Sequence, residues 1–529
     1  MLWVANVLAS FALISCAASA INTSIITSEV HNANHIFNAI HSSMRQWGAA
    51  WYHNGMSFFL ATVPEGTQFF HGSSSDARVN DTEWLAFEPE HALFFAWPRG
   101  PRRGPGPSPP GPFRPKLLKR QQEVLHERPE DERDNQEGEE KYGYLHMYSA
   151  AKDLRLLYID GLSAGKTDMG TLDSQDRILL RDQLNEGKMA RADDDEKKGP
   201  GGPFGESVRA ELACRIAKDE WNDRIDGFIR TESGFEIILC DFSRDVNLQR
   251  IAAVSSQEFM ERHDIYEYKS INVARFDGIG GERVKVNYDN FVTAYTYANL
   301  DLFNESSGSG SKPRLQHLSS EQLEPIRSDL SQLVLEHDVV ESSFNWQSIA
   351  DMVVLKYSDF LKSLLASSKF GTLESLQKQV YKPLRPFIDP LQRNDTLENE
   401  LCALQFIPHS IKKNTNAINS LAGKVVYDVS YTTCSTLHSI LEDVDLDVAV
   451  SRIDALIEYL GWTTWKECSE KCGYNEACYI PIWPQGTVQD RLSPQCRDEP
   501  NNEGERYWGG GPGGPRPSPL TDPFLHGGL

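Results

Sequence analysis

Phe69-Phe-His-Gly-Ser-Ser-Ser-Asp-Ala-Arg-Val-Asn-Asp-Thr-Glu-Trp-Leu-Ala-Phe-Glu-Pro-Glu-His-Ala-Leu-Phe-Phe-Ala96 decides how the N-terminal half of the chain is read. A β-type run closes on His71-Gly72-Ser73, and Gly72 allows a close backbone approach there. Trp84 to Phe87 is a short strand. Pro89-Glu90 suits the first turn of a helix whose apolar face is Ala92, Phe95 and Ala96. Upstream, Ser57 to Val63 is dense in β formers, and Pro64 to Thr67 is a turn signal. Further upstream, Val30, Ala33, Phe37, Ile40, Met44 and Trp47 recur at helical spacing, which predicts a helix over 30–53. His31 and His35 lie one turn apart on another face of it, a spacing that also suits a metal pair.

Downstream, strands resume at Tyr142 with Leu145 to Tyr148 and Leu154 to Ile159, and a helix is expected over Glu206 to Trp221. Asp226 to Cys240 reads as a hairpin turning at Glu232-Ser-Gly. Two stretches, 98–141 and 188–205, are Pro/Gly-rich or charged and cannot bury a core, so they are expected as disordered insertions. The flanking strands then assign 21–97 plus 142–305 to one α+β domain of small mixed or antiparallel sheets with helices. A linker follows at 306–320. Apolar stripes at period 3.6 predict an all-α region over 321–461. Residues 462–500 form a Cys-rich module, and 501–529 are a disordered tail. Within 161–167, Gly161 and Gly165-Lys166-Thr167 are one residue short of a phosphate loop, so that stretch is read as a Gly-rich turn.

The first 20 residues, apolar and ending in Ala18-Ser-Ala20, have the form of a secretory signal peptide. The expectation is a secreted, extracellular protein with no membrane span. Nine cysteines are present. Cys16 falls in the leader. That leaves Cys214, Cys240, Cys402, Cys434, Cys468, Cys472, Cys478 and Cys496, an even set that reads as disulfides in an oxidising compartment. Cys214–Cys240 and Cys402–Cys434 are the natural pairs within their regions, and no metal is assigned. Asn22, Asn80, Asn304 and Asn394 open glycosylation sequons. The net charge of −22 speaks against nucleic acid as a partner. An extracellular protein or glycan is the alternative.

Two resemblances add to this. His71-Gly72-Ser73, then Trp84 to Ala96, then the hairpin carrying Glu236, resemble in order the motif blocks of the ADP-ribosyltransferase superfamily. The likeness spans 57–243, lacks the second-motif Tyr and is interrupted by both insertions. It implies NAD as substrate, held by His71, Gly72 and Ser73. Glu236, or Glu232 in its place, would stabilise the ribosyl cation during transfer or hydrolysis. The whole pattern, including Cys478 to Pro484, is also similar to uncharacterised secreted fungal proteins. A non-catalytic extracellular binding or structural glycoprotein is the rival class.

Lys119-Arg120 is a dibasic pair within the first insertion. Cleavage after Arg120 is expected. A mass spectrum of the native exported protein should show two fragments, and a spectrum of unbroken chains alone would refute cleavage.

Overall fold

The computed structural model describes residues 30–96, 142–184, 205–255, 278–280, 282–304, 312–338, 343–365, 371–468, 470–498 and 504–508. The stretch expected as a signal peptide, Asn22, Arg120, nearly all of both expected insertions and most of the C-terminal tail lie outside these residues.

The N-terminal region is α+β. Its strands are β1 (Ser57–Val63), β2 (Gln68–Ser73), β3 (Glu83–Ala86), β4 (Tyr142–Ala150), β5 (Leu154–Ile159), β6 (Gly227–Thr231), β7 (Phe235–Leu239), β8 (Val246–Ser255) and β9 (Lys285–Thr293). All nine join one sheet in the order β8-β4-β2-β3-β7-β6-β5-β1-β9. Every neighbouring pair is antiparallel except β5–β6. Central strands such as β1 and β7 are buried along their whole length, which matches their unbroken apolar runs.

The register fixes which side chains share a face. Phe70 pairs with Ala86, Ala86 with Glu236, and Glu236 with Arg230, so these four point to one face. His71, Leu85 and Ile237 point to the other.

The helical stripe at 30–53 is interrupted. It forms α1 (Ala33–Ser42) and α2 (Gln46–Trp51), with Met44 between them at φ +55°. Ser43 causes the break: its hydroxyl donates to Ile40 O and pairs with Tyr288 OH, both at 2.8 Å. The apolar stripe survives, because Ala33, Phe37, Ile40, Met44 and Trp47 are all buried. His35 stacks on Tyr295 and packs against Phe303, so its ring fills an aromatic slot.

A short helix, α3 (Pro89–Leu93), crosses the Glu236 face above β2. A longer one, α4 (Glu206–Asp219), is tied to the end of β7 by Cys214–Cys240. The helical region follows as α5 (Ser320–Glu336), α6 (Trp346–Leu365), α7 (Leu373–Leu384), α8 (Asp395–Ala403), α9 (Leu421–Ile440) and α10 (Leu446–Leu460). Cys402–Cys434 joins α8 to α9. One apolar core runs through both regions, and α1 packs against α6 and α9. Asn34 and Asn38 donate to the carbonyls of Tyr459 and Leu460 at the end of α10. In the C-terminal module, β10 (Ala477–Tyr479) pairs with β11 (Gln495–Arg497), held by Cys468–Cys478 and Cys472–Cys496. Among the described residues no helix is long and apolar enough to cross a membrane.

Gly72 is required by the fold. A Cβ there would sit 1.9 Å from Ala92 O, inside the α3 backbone. The close approach anticipated at this glycine is therefore filled by the chain's own helix. Gly72→Ala should cost about 2 kcal/mol or more, as overpacking does. Ser73→Ala, one residue on and half-buried, should stay within about 0.5 kcal/mol. Urea unfolding of the two variants measures the difference.

Candidate active site

The Glu236 face of the sheet holds a buried cluster of charges. Arg230, in the middle of β6, is wholly buried. A guanidinium does not give up its proton, so its donors must be met. Its two terminal nitrogens are: it donates to Glu236 at 2.5 Å, Glu206 at 2.7 Å and Gln175 at 2.9 Å. Its Nε has no hydrogen-bond partner among the described residues. Glu236 comes from β7 directly opposite, and Glu206 from the first turn of α4. There its carboxylate also complements the helix dipole.

Glu232 stands in the β6–β7 turn and is paired with Lys166, from the turn that follows β5. Lys166 Nζ lies 3.7 Å from Glu206 as well, and 5.4 Å from the ring centre of Trp483 in the C-terminal module. Arg209 extends the cluster through Asp176 at 2.7 Å. His91 of α3 faces Glu236 and Lys166. The Lys166, Glu206, Arg230 and Glu232 side chains are at most 3% exposed, and that of Glu236 is 8% exposed.

The carboxylates are driven apart in protonation. Burial, with Glu236 and Glu206 adding to it, pushes Glu232 above the ordinary carboxylate range against the pull of Lys166. Burial also opposes ionisation of Glu206, but Arg230, Lys166 and Arg209 outweigh it and hold that pKa at about 2. Burial lowers Lys166, and the surrounding carboxylates more than reverse it, so the ammonium is firmly charged. His91 is lowered to about 4, mainly by burial, and is neutral at pH 7. One carboxyl pushed up and one held low within reach of the same ammonium are the parts of a general acid–base site.

The structure brings together Glu232 and Glu236 but separates them from His71. The His71 ring lies across the sheet, where Nδ1 donates to Trp84 O at 2.9 Å. It packs edge-on against His146 and Phe242. Burial lowers its pKa to about 4. Gly72 is covered by α3, and the Ser73 hydroxyl accepts from Ser75 N at 3.1 Å. The expected cleft shared by His71 and Glu236 is therefore not formed. The cause is strand parity: neighbouring residues of β2 face opposite ways, and His71 falls on the wrong one.

Sequence reading missed Lys166, Glu206, Arg230 and Gln175. A signal was present at Arg230: a charge directly after the apolar Phe228 and Ile229 in a strand, two residues before Glu232.

Of the sequons, Asn80 and Asn394 are exposed and Asn304 is half-buried. The Asn394 side chain caps α8 by accepting from Leu397 N.

Residues 22–278 match the model of the YPL277C N-terminal domain family. The chain is 26% identical to the uncharacterized protein YOR389W of Saccharomyces cerevisiae, over 90% of this chain and 84% of that one. It is 33% identical to the uncharacterized protein YPL277C of the same yeast, over 40% of this chain and 41% of that one. The anticipated likeness to uncharacterised fungal proteins is thus found. No solved structure matches. Every charged member of the cluster lies inside the matched region, and Trp483 lies outside it.

The shifts fix the pH dependence of stability. Glu83 is raised to about 8 and Asp160 to about 7, both by burial, and Glu232 moves the same way. A carboxyl raised on folding contributes stability below its ordinary pKa and loses it as pH rises through the folded value. Glu206, lowered to about 2, contributes above its ordinary 4.5 and loses that as pH falls towards 2. Thermal melts across pH should place maximum stability between that ordinary value and neutrality. Glu83→Gln should flatten the alkaline loss. A maximum above pH 8 would contradict these assignments.

Proposed function

We propose that the chain is an exported, disulfide-bonded glycoprotein whose N-terminal region cleaves a glycosidic bond by carboxyl chemistry at the Arg230 cluster. The nicotinamide–ribose bond of NAD is the first substrate to test, because the order of motif blocks resembles that of ADP-ribosyltransferases. The observation that carries the reading is the gathering of three buried carboxyls, Glu206, Glu232 and Glu236, around Lys166 and Arg230, where burial pushes Glu232 up and the cations hold Glu206 down.

In this reading Glu232, pushed up by burial, donates its proton to the leaving oxygen of an O-glycoside, whereas nicotinamide leaves NAD as a neutral base and takes no proton. Glu236, aligned by Arg230, sets its negative charge against the oxocarbenium ion that develops as the bond breaks. Water or an acceptor side chain then attacks the sugar carbon; the proton it loses restores Glu232 after cleavage of an O-glycoside and passes to solvent after departure of nicotinamide. Lys166 and Arg230 keep Glu206 ionised, so that the proton of the cluster rests on Glu232. His71, Gly72 and Ser73 have no part in this chemistry.

A second reading, a non-catalytic extracellular binding or structural glycoprotein, draws support from the near-complete burial and internal pairing of the same charges. There the cluster serves only to fix β6, β7 and α4 together.

Nicotinamide release from NAD by the purified full chain, with aryl-glycoside hydrolysis as a parallel assay, separates the two. Glu236→Gln should lower the rate on either substrate about 100-fold or more, and Glu232→Gln should do so for glycoside hydrolysis. His71→Ala, once shown to be folded by circular dichroism, should retain it. Loss of activity in His71→Ala alone would restore the superfamily arrangement and refute this site. Absence of cleavage of either substrate class would favour the second reading.

A further inference from the structure

A second cluster lies in the helical region, far in sequence from the Arg230 site. We propose that Asp395, Glu398 and His438 form a site for a divalent cation of the Zn²⁺ class, closed in this structure by the guanidinium of Arg393. Asp395 and Glu398 stand three residues apart at the start of α8, on one face. His438 comes from the last turn of α9, which α8 packs against. One ligand atom from each of the three lies within 4.8 Å of the others, the spread that a single ion can span.

The tautomer of the histidine is set from behind. His438 Nδ1 donates to Asn399 Oδ1 at 3.1 Å while Nε2 accepts from Arg393 at 2.9 Å, so the lone pair is on Nε2. Such an outer hydrogen bond is how metal-ligating histidines are oriented. Nε2 then faces Glu398 Oε2 at 3.4 Å and Asp395 Oδ1 at 3.7 Å. A lone pair aimed at two carboxylates is repulsive unless a cation stands among them. Here that cation is Arg393, which donates to His438 Nε2 at 2.9 Å, to Asp395 at 3.0 Å and to Glu398 at 3.1 Å.

Arg393 enters from the loop before α8, and its side chain is 48% exposed, so it can swing into solvent. The three ligands left behind comprise one nitrogen and two carboxylate oxygens, a set that suits Zn²⁺ and leaves further coordination positions open. The site opens on a cavity of about 450 Å³ that Gln377, Tyr381, Ile388 and Leu441 line together with Arg393 and His438. That space can admit water or a small ligand to the ion. Binding exchanges one cation for another.

Calorimetric titration of the full-length, disulfide-intact protein with ZnCl₂ tests this. Arg393→Ala should bind one equivalent at least about tenfold more tightly than the parent chain. His438→Gln and Asp395→Asn, placed on the Arg393→Ala background, should each weaken that binding about tenfold or more. Asp395 is exposed, so its substitution leaves the fold intact even if that of His438 does not. No saturable binding by Arg393→Ala, or binding that survives both further substitutions, would overturn the proposal.

Discussion

A guanidinium with no exposed surface is the constraint on which the N-terminal region depends. Arg230 cannot be neutralised, so its burial is tolerable only if anions and carbonyl-type acceptors surround it. Glu236 must face it across β6–β7, α4 must begin at Glu206, and Gln175 must be delivered from the segment after β5. Lys166 brings in a second cation and Glu232 a third carboxylate. With Asp176 and Arg209 included, four carboxylates against three cations leave one negative charge in excess, and holding a proton on Glu232 removes it. The same arithmetic that lets the charges be buried creates a carboxylic acid poised near neutrality.

The two faces of the sheet divide the labour. The face under α3 carries the charges, and the opposite face near β2 carries His71, His146, Tyr148 and Phe242 in close aromatic packing. The C-terminal module reaches back to the charged side. Trp483 lies over Lys166, while Tyr507 and Trp508, from the stretch expected as a disordered tail, are buried against His53 near the end of α2. Residues more than 300 positions apart in the chain thus close one site, and two disulfides hold the module that does so.

Much of this architecture is legible in the sequence because it rests on local periodicity. The apolar runs of β1, β2 and β5, the hairpin at Glu232 and the stripes of α6, α9 and α10 each declare themselves within a dozen residues. Pairing is not local. Whether His71 or Phe70 shares a face with Glu236 turns on one residue of register carried across β2, β3 and β7, and a sequence pattern cannot fix it. Glu206 and Lys166 were illegible for a related reason. Each sits in a turn or helix start where a charge is ordinary, and only the tertiary fold removes it from water. The break between α1 and α2 was hidden by a stripe that continues through it, since Ser43 looks like any polar residue of a helix face.

The central claim is that Glu232 holds a proton in the folded protein near neutrality while Glu206 does not. Infrared difference spectroscopy between pH values on either side of neutrality, comparing the parent chain with Glu232→Gln, measures this directly. The expected result is a protonated-carboxyl band, stronger on the acid side than on the alkaline side, that loses intensity in the variant while the contributions of Glu83 and Asp160 remain. A band of equal intensity in both proteins would mean that Glu232 is ionised throughout, and the cluster would then be a structural ion network with no acid to give.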